Sequence, residues 1–81
     1  MKNLTQSEAE TRVQECADVI NATVDGSKYA KEANESKISI IENNIKYIDH
    51  SKNIYSHYDI DYSEADLAKQ NGLDYINTIN A

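Results

Sequence analysis

A run of isoleucines at helical spacing in the middle of the chain constrains the fold more than any other feature. Steps of three, four and three residues separate Ile38, Ile41, Ile45 and Ile48, which places all four on one face of an α-helix. Further residues widen this face into an apolar arc: Ala30, Asn34 and Tyr55 on the same stripe, and Tyr29, Ala33, Ile40 and Tyr47 beside it. An arc this wide predicts contact with two elements, drawn from the rest of the chain or from another copy of it.

The residues that flank this central helix predict its bounds. Ser27 can cap its start, and no glycine or proline follows until Gly72, so we expect a long helix over about residues 27–57. Asn34 lies in the stripe and predicts either a kink or a buried polar contact that fixes register. Lys52 stands where an apolar residue is expected. Either the helix leaves the core there, or the lysine stem packs while its ammonium reaches water.

A capping box predicts the first helix. Thr5 can accept the amide of Glu8, and the Glu8 carboxylate can reach back to the Thr5 amide. Asp25 and Gly26 supply the end, so the helix is expected over about residues 5–24. The apolar residues between these signals recur at steps of three and four: Ala9, Val13, Cys16 or Ala17, Ile20 and Val24.

Weaker signals predict a last helical segment. Ser63 and Asp66 have the spacing of a capping box, and Tyr62 and Leu67 occupy the positions of a hydrophobic staple. Gly72 is expected to end this helix. One last short turn is expected to fold back onto the bundle through Leu73, Ile76 and Ile79.

Together the segments predict an all-α fold in a single domain of residues 1–81. This fold is a small helical bundle, built on an antiparallel hairpin of about residues 5–24 and 27–57, with a short C-terminal helical segment of about residues 63–80. A chain of 81 residues buries only about 60% of the surface of its unfolded state, so its stability is expected to be modest.

The charge and the cysteine content limit the surroundings of the chain. Fourteen acidic and eight basic residues give a formal charge of −6. Phosphate backbones and anionic lipids repel such a chain, so we expect no direct binding to nucleic acid and no membrane association. Cys16 is the single cysteine, which excludes an internal disulfide, and the N-terminus lacks the apolar run of a signal peptide. We therefore expect a reducing, cytoplasmic setting.

A calcium loop is a possible interpretation of the segment around Asp59, because Asp59, Asp61 and Ser63 offer oxygens at alternate positions. An EF-hand loop requires glycine at its sixth position and a bidentate glutamate at its twelfth. This frame has Glu64 and Gln70 there. The segment is better interpreted as turn and capping residues, and we expect no metal.

Catalytic and cofactor chemistry lack support in the spacing. His50 and His57 are expected on the solvent face, and zinc would need two further ligands. Cys16 belongs to the apolar stripe of the first helix, where a cysteine is most often a small apolar residue. The two glycines, Gly26 and Gly72, stand alone and form no phosphate-binding loop. We therefore expect neither an enzyme nor a cofactor.

Acidic residues and tyrosines concentrate in the last third of the chain. Tyrosine is enriched in protein interfaces, and carboxylates around it select a basic partner and speed encounter. Tyr55 is expected in the core, so the candidate partner-binding residues are Tyr58, Asp59, Asp61 and Glu64. The alternative interpretation is that the tyrosines close the core in a chain that has no phenylalanine or tryptophan.

These features lead to one preferred function and two alternatives. The preferred function is a small acidic protein-binding module, of the kind that a phage or mobile element uses as an inhibitor to mask the basic surface of a nucleic-acid-binding host protein. The first alternative is a homo-oligomeric structural or assembly protein that associates through the central helix at Ile38, Ile41, Ile45 and Ile48. The second alternative is a small-ligand or nucleotide sponge at an oligomer seam, with tyrosine stacking and anion contacts from Lys28, Lys31 or Lys46.

Overall fold

The computed structural model describes residues 3–81, which form three α-helices. These are α1 (Gln6–Asp25), α2 (Asn34–Ile54) and α3 (Ser63–Asn80). Helix α2 returns antiparallel to α1, and α3 runs back along the pair, so that each helix packs against the other two. The body measures 38 × 19 × 19 Å. The predicted all-α helical bundle is confirmed.

The core lies along the common axis of the three helices. Ile41, Ile45 and Ile48 of α2 are buried there, and Tyr55 is buried just beyond the end of α2, as predicted. The other helices contribute mainly small and branched side chains: Val13, Ala17 and Ile20 from α1, and Ala65, Ala68 and Ile76 from α3. The wide apolar arc of α2 is therefore explained by contact with both other helices.

Burial of these isoleucines bears on the self-association expected at Ile38, Ile41, Ile45 and Ile48. Ile41 and Ile48 are fully buried, Ile45 is 8% exposed, and Ile38 is half-buried against the core. Three of the four side chains are thus used inside one copy of the chain. They are not available to a second copy unless the bundle opens.

The start of α1 follows the prediction closely because its signals are local. The Thr5 amide donates to Glu8 Oε1 at 2.9 Å, and the Glu8 amide donates to Thr5 Oγ1 at 3.2 Å, which completes the capping box. Gly26 adopts a left-handed conformation with φ of 81° and ends the helix. Ala9, Val13, Ala17 and Ile20 are buried as predicted.

The predicted start of the central helix is wrong by one and a half to two turns. Helix α2 begins at Asn34, and Ser27 belongs to the turn that ends α1, because its amide donates to the Asp25 carboxylate at 2.8 Å. Tyr29 has a φ of 62°, a left-handed conformation that a continuing helix cannot contain. Ala30 and Ala33 are exposed, so no apolar burial stabilises a helix in this connection.

The two polar interruptions of the stripe are resolved differently. Asn34 is exposed at the first position of α2, so it neither kinks the helix nor makes a buried contact. Lys52 is half-buried, and its ammonium pairs with the Asp66 carboxylate and lies 5.6 Å from the ring centroid of Tyr62. Its stem therefore packs while its charge is satisfied at the surface of the α2–α3 seam.

Gly72 does not end the last helix, and this prediction is wrong. Helix α3 passes through Gly72 without a break and continues to Asn80. A Cβ at this position would lie 2.7 Å from Ile41 Cγ2 and 2.9 Å from Ile20 Cγ2, so Gly72 marks the point where α3 meets both other helices. The C-terminal segment is accordingly one full helix rather than a short one with an added turn.

The predicted capping box and staple at the start of α3 are also absent from the described residues. Tyr62 precedes the helix without a side-chain cap, and Leu67 is 64% exposed, so the two do not form a staple. The Tyr62 hydroxyl is instead hydrogen-bonded to Ser51 on α2 at 3.2 Å. The Asp66 carboxylate forms an ion pair with Lys52 instead. The Ser63 amide donates to the Asp61 carboxylate at 2.9 Å.

Candidate functional site

A groove of about 280 Å³ lies between α1 and the start of α3. Its apolar lining consists of buried side chains from both helices together with the half-buried Ile60. Its exposed lining has three carboxylates, Glu10 from α1 with Asp61 and Glu64, beside the polar Gln14 and Ser63. We call this feature the acidic groove, and its apolar residues are Val13, Ala17, Ile60 and Ala65.

Helix packing explains why carboxylates border the groove. Val13 and Ala17 lie on the buried face of α1, and Glu10 lies one turn before Val13, at the border of that face. On α3, Glu64 immediately precedes the buried Ala65. The groove is therefore the seam between two helices, and its acidic margin comes from the residues that flank each buried stripe.

Asp61 is held in a defined position at the margin of this groove. Its Oδ1 accepts the Ser63 amide at 2.9 Å, just before α3 begins. Hydrogen bonding to Ser63, first from the backbone and then from the side chain, holds the pKa of the Asp61 carboxyl below its ordinary value. Asp61 is consequently ionised throughout the neutral range and can accept a further donor through its second oxygen.

The charge of the acidic groove is not balanced within residues 3–81. The ion pairs among these residues join Lys52 to Asp66 and Lys69 to Asp49, both between α2 and α3. Glu10, Asp61 and Glu64 take part in neither pair. Three carboxylates therefore border one seam without a cation of the described chain to neutralise them, which concentrates negative potential there.

The four residues predicted as a partner surface separate into two groups. Asp61 and Glu64 both line the acidic groove, whereas Tyr58 and Asp59 lie outside its lining. The exposed Asp59 side chain adds negative charge at this end of the bundle, and its backbone carbonyl accepts Gln6 Nε2 at 3.1 Å. The sequence identifies Asp61 and Glu64 as candidate site residues, but it does not identify Glu10, which lines the same groove from α1.

Tyr58 is largely occupied by contacts within the chain. Its hydroxyl donates to the Leu4 carbonyl at 2.7 Å, and its half-buried ring stacks on Tyr55 with centroids 5.5 Å apart and planes 7° apart. The Tyr55 hydroxyl accepts the Leu4 amide at 3.2 Å. The two tyrosines thus fasten the N-terminal residues to the corner between α2 and α3.

Other reactive side chains do not assemble into a second site in the described part of the chain. Burial raises the pKa of the half-buried Cys16 thiol, which makes it a weak nucleophile. His50 and His57 are both exposed, and the His57 ring lies 4.2 Å from the Tyr58 ring. Across residues 3–81, no cluster of three or more histidine, cysteine or acidic side chains is arranged to hold a metal ion.

Comparison of the chain with protein-family models, with curated protein sequences and with solved structures finds no match. None of the helices formed by residues 3–81 has the length and apolar character needed to cross a bilayer.

Proposed function

We propose that this protein is a small acidic binding module that takes a basic side chain of a protein partner into the acidic groove. The observation that carries the proposal is the position of Glu10, Asp61 and Glu64 around one apolar-floored seam, with no ion pair to the described cations. A groove of this composition complements a long side chain with an apolar stem and a cationic head. Arginine and lysine have that form.

The exposed margin of the groove favours a side chain over a cofactor. Pockets for small molecules and cofactors usually measure about 300–1,000 Å³ and bury most of the ligand. The acidic groove, at about 280 Å³, lies at the small end of that range, and its carboxylates are exposed to solvent rather than enclosed. The half-buried Ile60 can pack along a methylene stem, while the carboxylates meet the charged head. Val13, Ala17 and Ala65 are buried between the helices and form the bottom of the groove.

Arginine fits the carboxylate margin better than lysine does. A guanidinium presents five donors in a planar fork and can bond two carboxylates at once, whereas an ammonium acts as a compact point charge. Asp61 lies just before α3 and Glu64 in its first turn, and Glu10 lines the same groove from α1. A partner arginine is therefore the preferred occupant.

The proposal extends to the class of partner. Nucleic-acid-binding proteins display arginines and lysines that normally contact phosphates. An acidic bundle with a charge of −6 can occupy such a surface and act as an inhibitor, because its carboxylates replace the phosphates. Long-range attraction between the two surfaces would speed their association and weaken with added salt.

The test is the affinity for a minimal basic probe, octa-arginine labelled with a fluorophore, measured by anisotropy. The groove variant Glu10→Gln, Asp61→Asn, Glu64→Gln keeps side-chain shape and leaves an oxygen at residue 61 to accept the Ser63 amide. We expect binding to weaken by about threefold to 150-fold, since three exposed charge contacts of about 0.2–1 kcal/mol each contribute about 0.6–3 kcal/mol together.

A control with the same change in net charge separates the groove from the overall charge. Glu15, Glu32 and Glu42 are exposed and lie outside the acidic groove, so their simultaneous change to glutamine is the matched control. The proposal requires the groove variant to lose clearly more affinity than the control. Equal losses in the two variants would show that octa-arginine responds to net charge alone and would refute the groove as a site.

A further inference from the structure

The N-terminal residues 3–5 form a strap across the corner of residues 55–62. Both polar groups of Leu4 are engaged by tyrosine hydroxyls, since its amide donates to Tyr55 at 3.2 Å and its carbonyl accepts from Tyr58 at 2.7 Å. The two rings form one stacked unit, and the Tyr58 amide also donates to the Tyr55 carbonyl at 3.0 Å. The strap is therefore attached to a rigid pair rather than to two separate side chains.

This attachment is the main polar link between α1 and the corner. Among the hydrogen bonds of residues 3–81, those that join the corner to the chain before Ser27 all involve the strap or the residue after it. They are the two bonds of Leu4 and the bond from Gln6 Nε2 to the Asp59 carbonyl. The far end of the corner is fixed separately, to α2, by the bond between Tyr62 and Ser51.

The corner also supplies one side of the acidic groove. Ile60 and Asp61 belong to it, whereas Glu10, Val13 and Ala17 belong to α1. The distance across the groove consequently depends on how the corner is held against the start of α1. The strap bonds act at that junction, at Tyr58 two residues before Ile60 and at Tyr55 five residues before it.

We infer that the strap is a conformational device that sets the width of the acidic groove, so that its release loosens the corner and weakens binding. The expected loss of binding rests on the proposed function, whereas the expected loosening of the corner does not. Release requires no rearrangement of the helices, because the Tyr55 ring is buried and Tyr62, just before α3, is bonded to Ser51 independently of the strap.

The experiment uses the full chain carrying Tyr55→Phe and Tyr58→Phe, which keeps both rings and removes both hydroxyls. Hydrogen exchange of the Ser63 amide, the donor to Asp61, reports on the corner. We expect its protection to fall about tenfold, the loss expected for two neutral hydrogen bonds. Tyr29→Phe is the control, because this exposed tyrosine lies in the connection at the opposite end of the bundle.

Each outcome decides a part of the inference. Unchanged Ser63 protection, or an equal loss at the core amides of Ile45 and Ile48, would overturn the local mechanical device. A local loss of protection with unchanged affinity for octa-arginine would overturn the link to the groove. If the wild-type chain itself does not bind octa-arginine, the proposed function fails, while exchange at Ser63 still decides whether the strap holds the corner.

Discussion

Gly72 on α3 lies directly against Ile41 on α2, so closely that a Cβ on the glycine would come within 2.7 Å of Ile41 Cγ2. Ile20 closes the same space from α1, with its Cγ2 2.9 Å away. Both neighbours are branched at Cβ and stiff in a helix, so neither can rotate its methyl group aside cheaply. The three helices therefore come into closest contact at Gly72, a residue that has no side chain.

Gly72→Ala is therefore expected to destabilise the fold although alanine favours helices. Overpacking destabilises the fold by about 1–3 kcal/mol, and the higher helix propensity of alanine offsets up to about 1 kcal/mol of this loss. We expect a net loss of up to about 2 kcal/mol in the free energy of unfolding, measured by denaturant titration. Asn71→Ala, at the exposed neighbouring position, is the control and should be neutral or stabilising. A more stable Gly72→Ala variant would contradict the close approach.

The buried hydroxyl pair of Ser51 and Tyr62 is expected to couple α2 to the start of α3. Ser51 is fully buried, and its hydroxyl lies 3.2 Å from that of Tyr62. A double-mutant cycle of Ser51→Ala and Tyr62→Phe cancels the helix-propensity gain of alanine and should give a coupling of about 0.5–1.5 kcal/mol. A cycle of Ser51→Ala with Tyr75→Phe should be additive. Additivity in both cycles would rule out a contribution from this bond.

The capping box of α1 predicts a specific dependence of stability on pH. Hydrogen bonds from the Thr5 backbone and then its side chain hold the pKa of Glu8 below its ordinary value. The folded chain thus favours the carboxylate. The resulting stabilisation is full above the unfolded pKa of about 4.3 and disappears as the pH falls through the folded value.

Glu8→Gln tests this dependence because glutamine keeps the capping geometry and removes the charge. Wild type should be more stable than Glu8→Gln at about pH 7, and the difference should shrink below about pH 4.3 and vanish once the pH is below the lowered folded pKa. Glu15→Gln, on the exposed face of α1, should show no such convergence. A gap that persists or widens in acid would contradict the assigned role of the carboxylate.

A charge at Ile41 distinguishes a core position from an association face. Ile41 is fully buried, and an unpaired carboxylate there costs several kcal/mol, a large part of the stability of a small domain. We expect Ile41→Asp to lose its helical circular dichroism at all concentrations. Leu67→Asp, at a position that is 64% exposed, should remain folded. A folded, monomeric Ile41→Asp protein would instead support association through α2.

The sequence predicts the parts of this fold whose signals are local. The Thr5–Glu8 box and Gly26 act within one turn, so α1 is predicted nearly to the residue. The start of α2 has no comparable signal, because Ala33 provides no side-chain cap and the left-handed residue is a tyrosine rather than a glycine. The role of Gly72 depends on contacts with Ile20 and Ile41 of the other helices, so its neighbours in the sequence do not indicate it.

The same distinction applies to the candidate site. Asp61 and Glu64 are three residues apart, and their acidity is visible in the sequence. Glu10 is separated from them by about fifty residues and meets them only because α1 and α3 pack together. Its position one turn before the buried Val13 marks it as a border residue, but the sequence alone does not identify the seam that it borders.

The most direct test of the central claim is a map of where octa-arginine binds, obtained from amide chemical-shift changes of the isotope-labelled protein. The acidic groove predicts the largest changes at Glu10, Gln14, Asp61 and Glu64, a saturable response, and a weaker one at higher salt. Shifts that are spread evenly over the surface, or centred on Glu32 and Glu35 at the other end of the bundle, would contradict it.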